Sequence, residues 1–319
     1  MRALACPASL KGVVSAVDAA ALLAEGLERG GAEAVALPVA DGGEGTAEVI
    51  GGEAHEAMVS DPLGRPIVAR WAMRADGTAV VDSAAALGLP LLRPEELDPL
   101  RASSAGVGEL LVAVLAAGPA AVIVGVGGTA TVDGGAGLRA VLPLRPRGIP
   151  LRVACDVRSP LVDAARVFAR QKGASPEQAL ELERRLSADR GLAPYADLPG
   201  AGAGGGLGAA LASLGGELLP GSELVLDLIG FDEQASRADL VVSGEGTVDE
   251  TTFAGKAPGA VLARCEGLGV RCVLFGGRVI AGEARALSGD PARAREDLVA
   301  LGYELGRLGG SPRVDGRLS

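Results

Sequence analysis

Short apolar runs that end in glycine pairs recur along this chain. Four of them have the length of a β-strand, residues 33–40, 121–126, 239–242 and 271–275. Between them, apolar residues recur at helical spacing, as in residues 17–27. This alternation predicts an α/β fold with a parallel, doubly wound sheet, either flavodoxin-like or Rossmann-like. Because ligands collect at the carboxyl ends of parallel strands, the glycine loops are predicted to form the binding site.

Two stretches interrupt the alternation and predict a second, smaller inserted α/β subdomain. Residues 53–82 are typical of strands joined by tight turns, with D-P-L-G-R-P at 61–66 and Asp76-Gly77 as turn signals. Residues 150–231 contain a strand and a helix that Ser175 would cap. An interdomain cleft is expected. The predicted bounds are 1–57, 103–142 and 232–319 for the parallel-sheet domain, and 58–102 and 143–231 for the inserted subdomain.

Composition narrows the functional classes. The 319 residues suggest two domains. A net charge of −10 without any Lys/Arg block argues against a nucleic-acid partner. No apolar stretch reaches the roughly 18 residues of a membrane span, and no signal segment is recognisable, so a cytoplasmic protein without membrane contact is expected. A homodimer is one open assembly state.

Cysteine and histidine chemistry is not favoured. The four cysteines form no C-x-x-C pair, and His55 is the only histidine. This argues against a zinc site, a disulfide framework and a Ser-His-Asp triad. His55 is predicted to be an ordinary surface or strand residue.

One glycine-rich stretch superficially matches a dinucleotide fingerprint. Gly200, Gly202 and Gly205 satisfy G-x-G-x-x-G, but they follow a turn-forming segment and not a strand. Two interpretations stay open. The stretch is either a tight loop that opens a helix from Gly204 to Leu214, or an anion cradle at the N-terminus of that helix.

Lysine is rare and always adjacent to glycine. The chain has 27 arginines and three lysines, Lys11, Lys172 and Lys256. Since a lysine ammonium is a compact point charge, these residues are predicted to neutralise phosphate, with chance retention as the alternative.

Phosphoryl transfer needs backbone N–H groups around phosphates, carboxylates for Mg²⁺, a cation, and an acid at the acceptor hydroxyl. The glycine loops at 41–45 and 127–137 and the acids within and beyond them offer these groups. For any single acid, a turn or helix cap is the alternative.

A set of motifs carries a family resemblance across nearly the whole chain. These include S-L-K-G at 9–12, P-V-A-D-G-G-E-G-T at 38–46, G-V-G-G-T-A-T-V-D-G-G-A-G at 125–137, Q-K-G-A at 171–174 and G-E-G-T-V-D at 244–249. With them the chain resembles the bacterial glycerate kinases that lack a P-loop.

The resemblance implies phosphorylation of D-glycerate by ATP with Mg²⁺, giving 2-phosphoglycerate in preference to 3-phosphoglycerate. Combined with the residues above, it implies Lys11, Asp156 and Lys256 as catalytic residues and Asp133 and Asp249 as Mg²⁺ ligands. The substrate- and phosphate-binding residues would be Ser9, Asp41, Gly42, Gly43, Glu44, Gly127, Gly128, Thr129, Gly134, Gly135, Lys172, Gly202, Gly204 and Glu245.

The chain also departs from the family pattern. Ala8 stands in place of an Asp, Leu10 of a Phe, Val132 of an Asn and Thr247 of an Arg, and the segment between residues 142 and 151 is some tens of residues shorter. These departures keep a second function open, a non-catalytic or altered-specificity sensor of a small hydroxy acid or its phosphate.

Overall fold

The fold was obtained as a computed structural model that describes residues 1–142 and 148–308. The chain forms two compact units. The split unit consists of Met1–Ala40 and the segment that begins at Leu226, and the inserted unit is Asp41–Val225.

The split unit contains a five-stranded sheet in which every strand pair is parallel. Its strand order is β11-β10-β9-β1-β2. The strands are β1 (Arg2–Ala5), β2 (Glu33–Ala36), β9 (Leu240–Val248), β10 (Cys272–Val279) and β11 (Arg285–Ala286).

Helices cover both faces of this sheet. They are α1 (Ala16–Arg29), α10 (Phe231–Ala235), α11 (Glu250–Phe253), α12 (Ala257–Leu268) and α13 (Ala294–Leu308). Successive residues of β1 point to opposite faces, so Ala3 and Ala5 pack with α1 and α13 while Leu4 packs with Phe231 and α12. The split unit is therefore doubly wound.

The inserted unit contains a six-stranded sheet of order β3-β4-β5-β6-β7-β8. Pairs from β5 to β8 are parallel, and β3, β4 and β5 form an antiparallel meander. The strands are β3 (Glu53–Ser60), β4 (Pro66–Met73), β5 (Thr78–Asp82), β6 (Ala121–Val126), β7 (Leu151–Cys155) and β8 (Glu217–Pro220).

Short and long helices connect these strands. They are α2 (Thr46–Ile50), α3 (Ala84–Leu87), α4 (Ala105–Ala116), α5 (Ala136–Val141), α6 (Asp163–Arg166), α7 (Pro176–Ala188), α8 (Ala203–Ser213) and α9 (Gly221–Leu228), in which the inserted unit ends. The cap expected for α7 is present. The Ser175 hydroxyl accepts from the Gln178 amide, and the Gln178 side chain accepts from the Ser175 amide.

The α/β class with mostly parallel strands is confirmed, but the structure groups the segments differently from the sequence expectation. Residues 103–142 were expected in the parallel-sheet domain, yet β6 pairs with β5 and β7 of the inserted unit. The inserted unit is also the longer of the two. The physical reason is that strand-plus-glycine segments feed two parallel sheets, and nothing local in them specifies which sheet. The expected boundary at 142/143 and the shortened segment both involve residues 143–147, which lie outside the described residues. Residues 309–319 also lie outside them.

None of the helices in residues 1–142 and 148–308 combines the length and the apolarity that a bilayer-spanning segment needs.

Candidate active site

Three parallel strands of the inserted unit end side by side. Asp82 is the last residue of β5 and pairs with Gly125 of β6, while Cys155, just before Asp156, pairs with Val126. A Cβ added to Gly127 would lie 2.5 Å from Asp156 Oδ2, so the carboxylate fits there only because residue 127 has no side chain. Residues 41–45, Asp82, residues 127–129, Asp156 and Lys172 are named here the strand-end site.

The D-G-G-E-G loop at 41–45 lies against the end of β6. The same added Cβ at Gly127 would lie 2.9 Å from Gly43 Cα, and one at Gly128 would lie 3.8 Å from Glu44 Cβ. Within the loop, Asp41 Oδ1 accepts from the Gly43 amide at 3.2 Å. Gly42 adopts a φ of +92°, which a residue with a side chain rarely adopts. The two predicted glycine loops therefore meet, although the strands that precede them, β2 and β6, belong to different sheets.

Lys172 is almost completely buried, with 4% of its surface exposed. Its Nζ donates to the Thr131 carbonyl at 2.9 Å and to the Thr129 hydroxyl at 3.3 Å. Burial lowers the pKa of Lys172 to about 8, against the opposing attraction of Asp156 and Asp133. Because both hydrogen-bond partners are uncharged, this buried cation is well suited to an anionic ligand.

Asp82 is a member of the site that sequence reasoning missed. It is 9% exposed, and its Oδ2 and Oδ1 accept from the Gly45 and Ala47 amides at 3.0 Å each. Burial raises the pKa of Asp82 to about 7. The available signal was a lone acid at the end of the apolar run 78–82, directly before the helix-forming residues that follow.

Asp133 lies in a different setting from the one a metal ligand needs. Its Oδ2 accepts from the Ser104 amide, the Ser104 hydroxyl and the Gly137 amide, and its Oδ1 accepts from the Gly135 amide. These bonds join the starts of α4 and α5. A Cβ at Gly135 would lie 2.3 Å from Ala210 Cβ. The contacts of Asp133 and Gly135 thus give both residues a role in holding the fold together. The assignment of Asp133 to Mg²⁺ and of Gly135 to phosphate stays a prediction.

The glycine stretch at the start of α8 is packed tightly against other loops. Gly204, Gly205 and Gly206 all have positive φ, and a Cβ at Gly205 would lie 1.8 Å from the Thr131 carbonyl oxygen. The Gly205 carbonyl accepts from the Gly134 amide at 3.1 Å. A Cβ at Gly202 would likewise meet a backbone oxygen, at 2.3 Å. The tight-loop interpretation accounts for these glycines, and the anion-cradle interpretation stays a prediction.

A second candidate site is a pocket of about 370 Å³ in the split unit, named here the lysine pocket. It is lined by the loop after β1 and by residues within β9 and β10, because these two strands continue through the glycine motifs that were expected to be loops. Its polar and glycine lining includes Ser9, Lys11, Glu245, Lys256, Gly277 and Arg278. The charged lining consists of three cations, Lys11, Lys256 and Arg278, and three carboxylates, Glu245, Asp290 and Asp297. The pocket therefore offers contacts for phosphate oxygens together with carboxylates of the kind that bind Mg²⁺.

Glu245 organises one wall of the lysine pocket. Its Oε1 accepts from the Thr252 hydroxyl at 2.6 Å, and its Oε2 lies 3.4 Å from Lys256 Nζ. Lys256 begins α12 and also lies 3.8 Å from Asp249 Oδ1. The hydrogen bond from the Thr251 hydroxyl is the largest contribution that lowers the pKa of Asp249. Lys256, Glu245 and Asp249, predicted separately, therefore form one cluster.

The carboxylates of the two sites differ in how well they suit Mg²⁺. Among the described residues, no group of three or more Asp, Glu, Cys or His side chains could hold a metal ion. Mg²⁺ in phosphate-binding proteins usually takes one or two carboxylates and completes its shell with water and substrate phosphates. Glu245 and Asp249, both within 4 Å of the Lys256 ammonium, fit that pattern better than the fully hydrogen-bonded Asp133.

His55 and the cysteines take no part in these sites. His55 lies on β3 and stacks on Trp71 with ring centroids 4.4 Å apart, so it is the ordinary strand residue expected. Cys6, Cys155 and Cys265 are buried and unbridged, and burial raises the pKa of Cys155 to about 12.

Both units are α/β units with mostly parallel sheets, and each brings glycine residues, a lysine and carboxylates together. This combination is typical of an α/β enzyme that binds phosphate groups. Comparison with known proteins gives the family. The model of the "Glycerate kinase family" matches residues 3–146 and 142–294. The chain therefore belongs to the glycerate kinase family, and it is an enzyme of the phosphotransferase class that has an alcohol group as acceptor.

Individual relatives agree with this assignment. The Escherichia coli K12 protein named glycerate 2-kinase is 39% identical, with 81% of this chain and 80% of that protein covered. The Bacillus subtilis 168 glycerate kinase is 37% identical, with 81% and 80% covered. A crystal structure described as "putative glycerate kinase 2" from Salmonella typhimurium LT2 superposes with a TM-score of 0.82 at 31% identity, covering 97% of this chain and 98% of that one.

Proposed function

We propose that this chain catalyses the ATP-dependent phosphorylation of D-glycerate, with 2-phosphoglycerate formed in preference to 3-phosphoglycerate. The name of the Escherichia coli relative, glycerate 2-kinase, supports the acceptor and the position of phosphorylation. The observation that carries the assignment of ATP is the lysine pocket, in which three cations that can contact phosphate lie together with three carboxylates that can contact Mg²⁺.

The phosphates of ATP are assigned to the lysine pocket. Lys11, Lys256 and Arg278 supply positive charge, and the pocket volume of about 370 Å³ lies at the lower end of the range typical of small-molecule sites. Glu245 fixes the Lys256 ammonium. A bound Mg²⁺ would be held by Asp249 and Glu245 together with phosphate oxygens, and it would neutralise charge on those oxygens.

The acceptor is assigned to the strand-end site. Asp156 lies against Gly127, where a substrate can approach the backbone closely. A carboxylate there can orient the acceptor hydroxyl and take its proton as the phosphoryl group is transferred. The carboxylate of D-glycerate would supply the charged partner for Lys172.

The direct test is a coupled assay of ADP release with purified protein. Mg²⁺-dependent ADP formation is expected with D-glycerate and little with L-lactate, because lactate lacks the second hydroxyl that a hydrogen-bonding site recognises. Phosphorus NMR of the product then separates 2-phosphoglycerate from 3-phosphoglycerate. Equal turnover of both acids would refute the substrate assignment, and tight binding of glycerate without turnover would favour a sensor.

A pH series tests the assignment of Lys172 separately. Because burial brings the pKa of Lys172 to about 8, the ammonium of the free enzyme is lost as pH rises through that value. The KM for D-glycerate should therefore rise by about tenfold per pH unit above pH 8, while a Lys172→Met variant should show a high, pH-independent KM. A wild-type KM that stays flat up to pH 9.5 would remove Lys172 from the acceptor site.

A further inference from the structure

The Asp82 carboxylate connects two segments that are far apart in sequence. Asp82 ends β5, and its two oxygens take the amides of Gly45 and Ala47, which begin α2 directly after the D-G-G-E-G loop. α2 has no side-chain cap of its own, since its N-cap residue is Gly45. The carboxylate of Asp82 therefore does from a neighbouring strand what a capping residue normally does from within the helix.

This contact fixes the loop at the place where the chemistry is assigned. Gly43 of the loop lies against Gly127, which in turn lies against Asp156. The middle of the loop is tied to the start of α2 by the bond from the Thr46 hydroxyl to the Gly43 carbonyl, at 2.8 Å. A movement of Gly45 and Ala47 away from Asp82 would thus change the position of Gly43 and Glu44 in the strand-end site.

We propose that Asp82 is a positioning residue for phosphoryl transfer, whose ionised carboxylate holds the D-G-G-E-G loop in its active position and whose protonation releases that loop. The proposal rests on the proposed kinase function for its catalytic consequence only. An ionised carboxylate accepts both amides, whereas a protonated one presents an O–H donor that competes with the N–H groups facing it. One hydrogen bond of the pair is therefore weakened or lost on protonation.

The surroundings bring this protonation close to neutral pH. The pKa of Asp82 is raised to about 7, mainly by burial. The two hydrogen bonds from the Gly45 and Ala47 amides lower the pKa, and the negative charges of Glu44 and Glu48 raise it further. In the described part of the chain, the one cation that lines the same pocket, of about 450 Å³, is Arg70, whose guanidinium pairs with Glu56. Loss of loop positioning is thus expected as pH falls below 7.

The kinetic test uses Asp82→Asn with Asp61→Asn as a matched control. Among the described residues, Asp61 and Asp82 are the two buried acids, and Asp61 is 2% exposed. Asp61 accepts hydrogen bonds from the Leu63 and Arg65 amides, which are distant in sequence from the 41–45 loop. Wild-type kcat/KM should fall about tenfold per pH unit below pH 7. Asp82→Asn should lower kcat/KM at pH 8 by roughly tenfold to a hundredfold and abolish the acid limb. Asp61→Asn should keep that limb.

Amide hydrogen exchange measures the contact between Asp82 and the Gly45 and Ala47 amides independently of catalysis. In the wild type, protection of the Gly45 and Ala47 amides, corrected for intrinsic exchange, should fall as pH drops from 8 to 6, and in Asp82→Asn it should be low throughout. Thermal unfolding shows whether each variant is folded. Protection that is the same in wild type and variant, or an acid limb that survives in Asp82→Asn, overturns the proposal. Inactive wild type with pH-dependent protection would refute the kinase function and leave the loop clamp standing.

Discussion

Replacement of Gly205 by alanine is the sharpest test of how the glycine stretch before α8 works. Gly205 has a φ of +76°, and the added Cβ would lie 1.8 Å from the Thr131 carbonyl oxygen. A Cβ has no torsion that could move it aside, so the backbone at residue 131 or 205 must shift. Either shift also strains the bond from the Gly134 amide to the Gly205 carbonyl.

The expected loss of stability follows from three contributions. Holding an L-residue in the left-handed region costs about 1–2 kcal/mol. Forcing a methyl group into a filled space costs about 1–3 kcal/mol. The more restricted unfolded chain returns about 0.4–1 kcal/mol. Gly205→Ala should therefore destabilise the protein by about 1–5 kcal/mol.

Gly118→Ala is the matched control, because Gly118 has a φ of +69° and nothing within 4 Å of the added Cβ. Only the backbone strain applies there, so a loss of about 0–1.5 kcal/mol is expected. Urea unfolding of both variants with equal m values isolates the contact, and a difference of about 2 kcal/mol corresponds to a midpoint shift on the order of 1 M. Equal shifts would show that close packing does not explain Gly205. Lost activity at unchanged stability would favour the anion cradle.

Three further predictions concern single side chains. Ser175→Ala removes one bond of the capping box of α7 and should lower stability by about 1 kcal/mol in urea unfolding; no loss would mean that the cap is replaced by water. Lys256→Arg should lower kcat/KM on the order of tenfold with an unchanged fold, because a guanidinium fork cannot replace the point charge beside Glu245; unchanged kinetics would remove Lys256 from the site. Since the folded-state pKa of Asp82 is raised from 3.8 to about 7, the native state binds the proton more tightly, and stability should fall by up to about 4 kcal/mol as pH rises from about 4 to 7. Asp82→Asn should remove that slope, and a slope of equal size in the variant would assign it to another group.

Local signals in the sequence were reliable. The capping box at Ser175 depends on three neighbouring residues, and it forms as expected. The strand Ala121–Val126 has the predicted bounds, because a buried parallel strand is a short continuous apolar run. The glycine loops at 41–45 and 127–128 also lie together as expected, although the reason expected, the shared edge of one parallel sheet, was wrong, since β2 and β6 belong to different sheets.

Features that depend on partners distant in sequence could not be predicted from local patterns. The strand at 121–126 looks alike whether it joins one sheet or the other, and only its pairing with Thr78–Asp82 decides the matter. Asp133 has the sequence context of a metal ligand, yet its carboxylate is taken up by Ser104, a residue distant in sequence. Asp82 has no motif, because its two partners are backbone amides that carry no residue identity.

The position of β1 in its sheet affects how the chain folds during synthesis. Ala3 pairs with Ala34 on one side and with Leu240 on the other, so β1 is an inner strand whose second neighbour is synthesised only after the whole inserted unit. At bacterial translation rates of roughly 5–20 residues per second, the nascent β1–β2 pair waits about 10–40 s with one edge unpaired. An unpaired apolar edge is a template for association with other chains. The inserted unit is continuous and can complete its own sheet during that interval, so misassembly during biosynthesis is expected to begin at β1, and a chaperone that binds extended apolar segments would act there first.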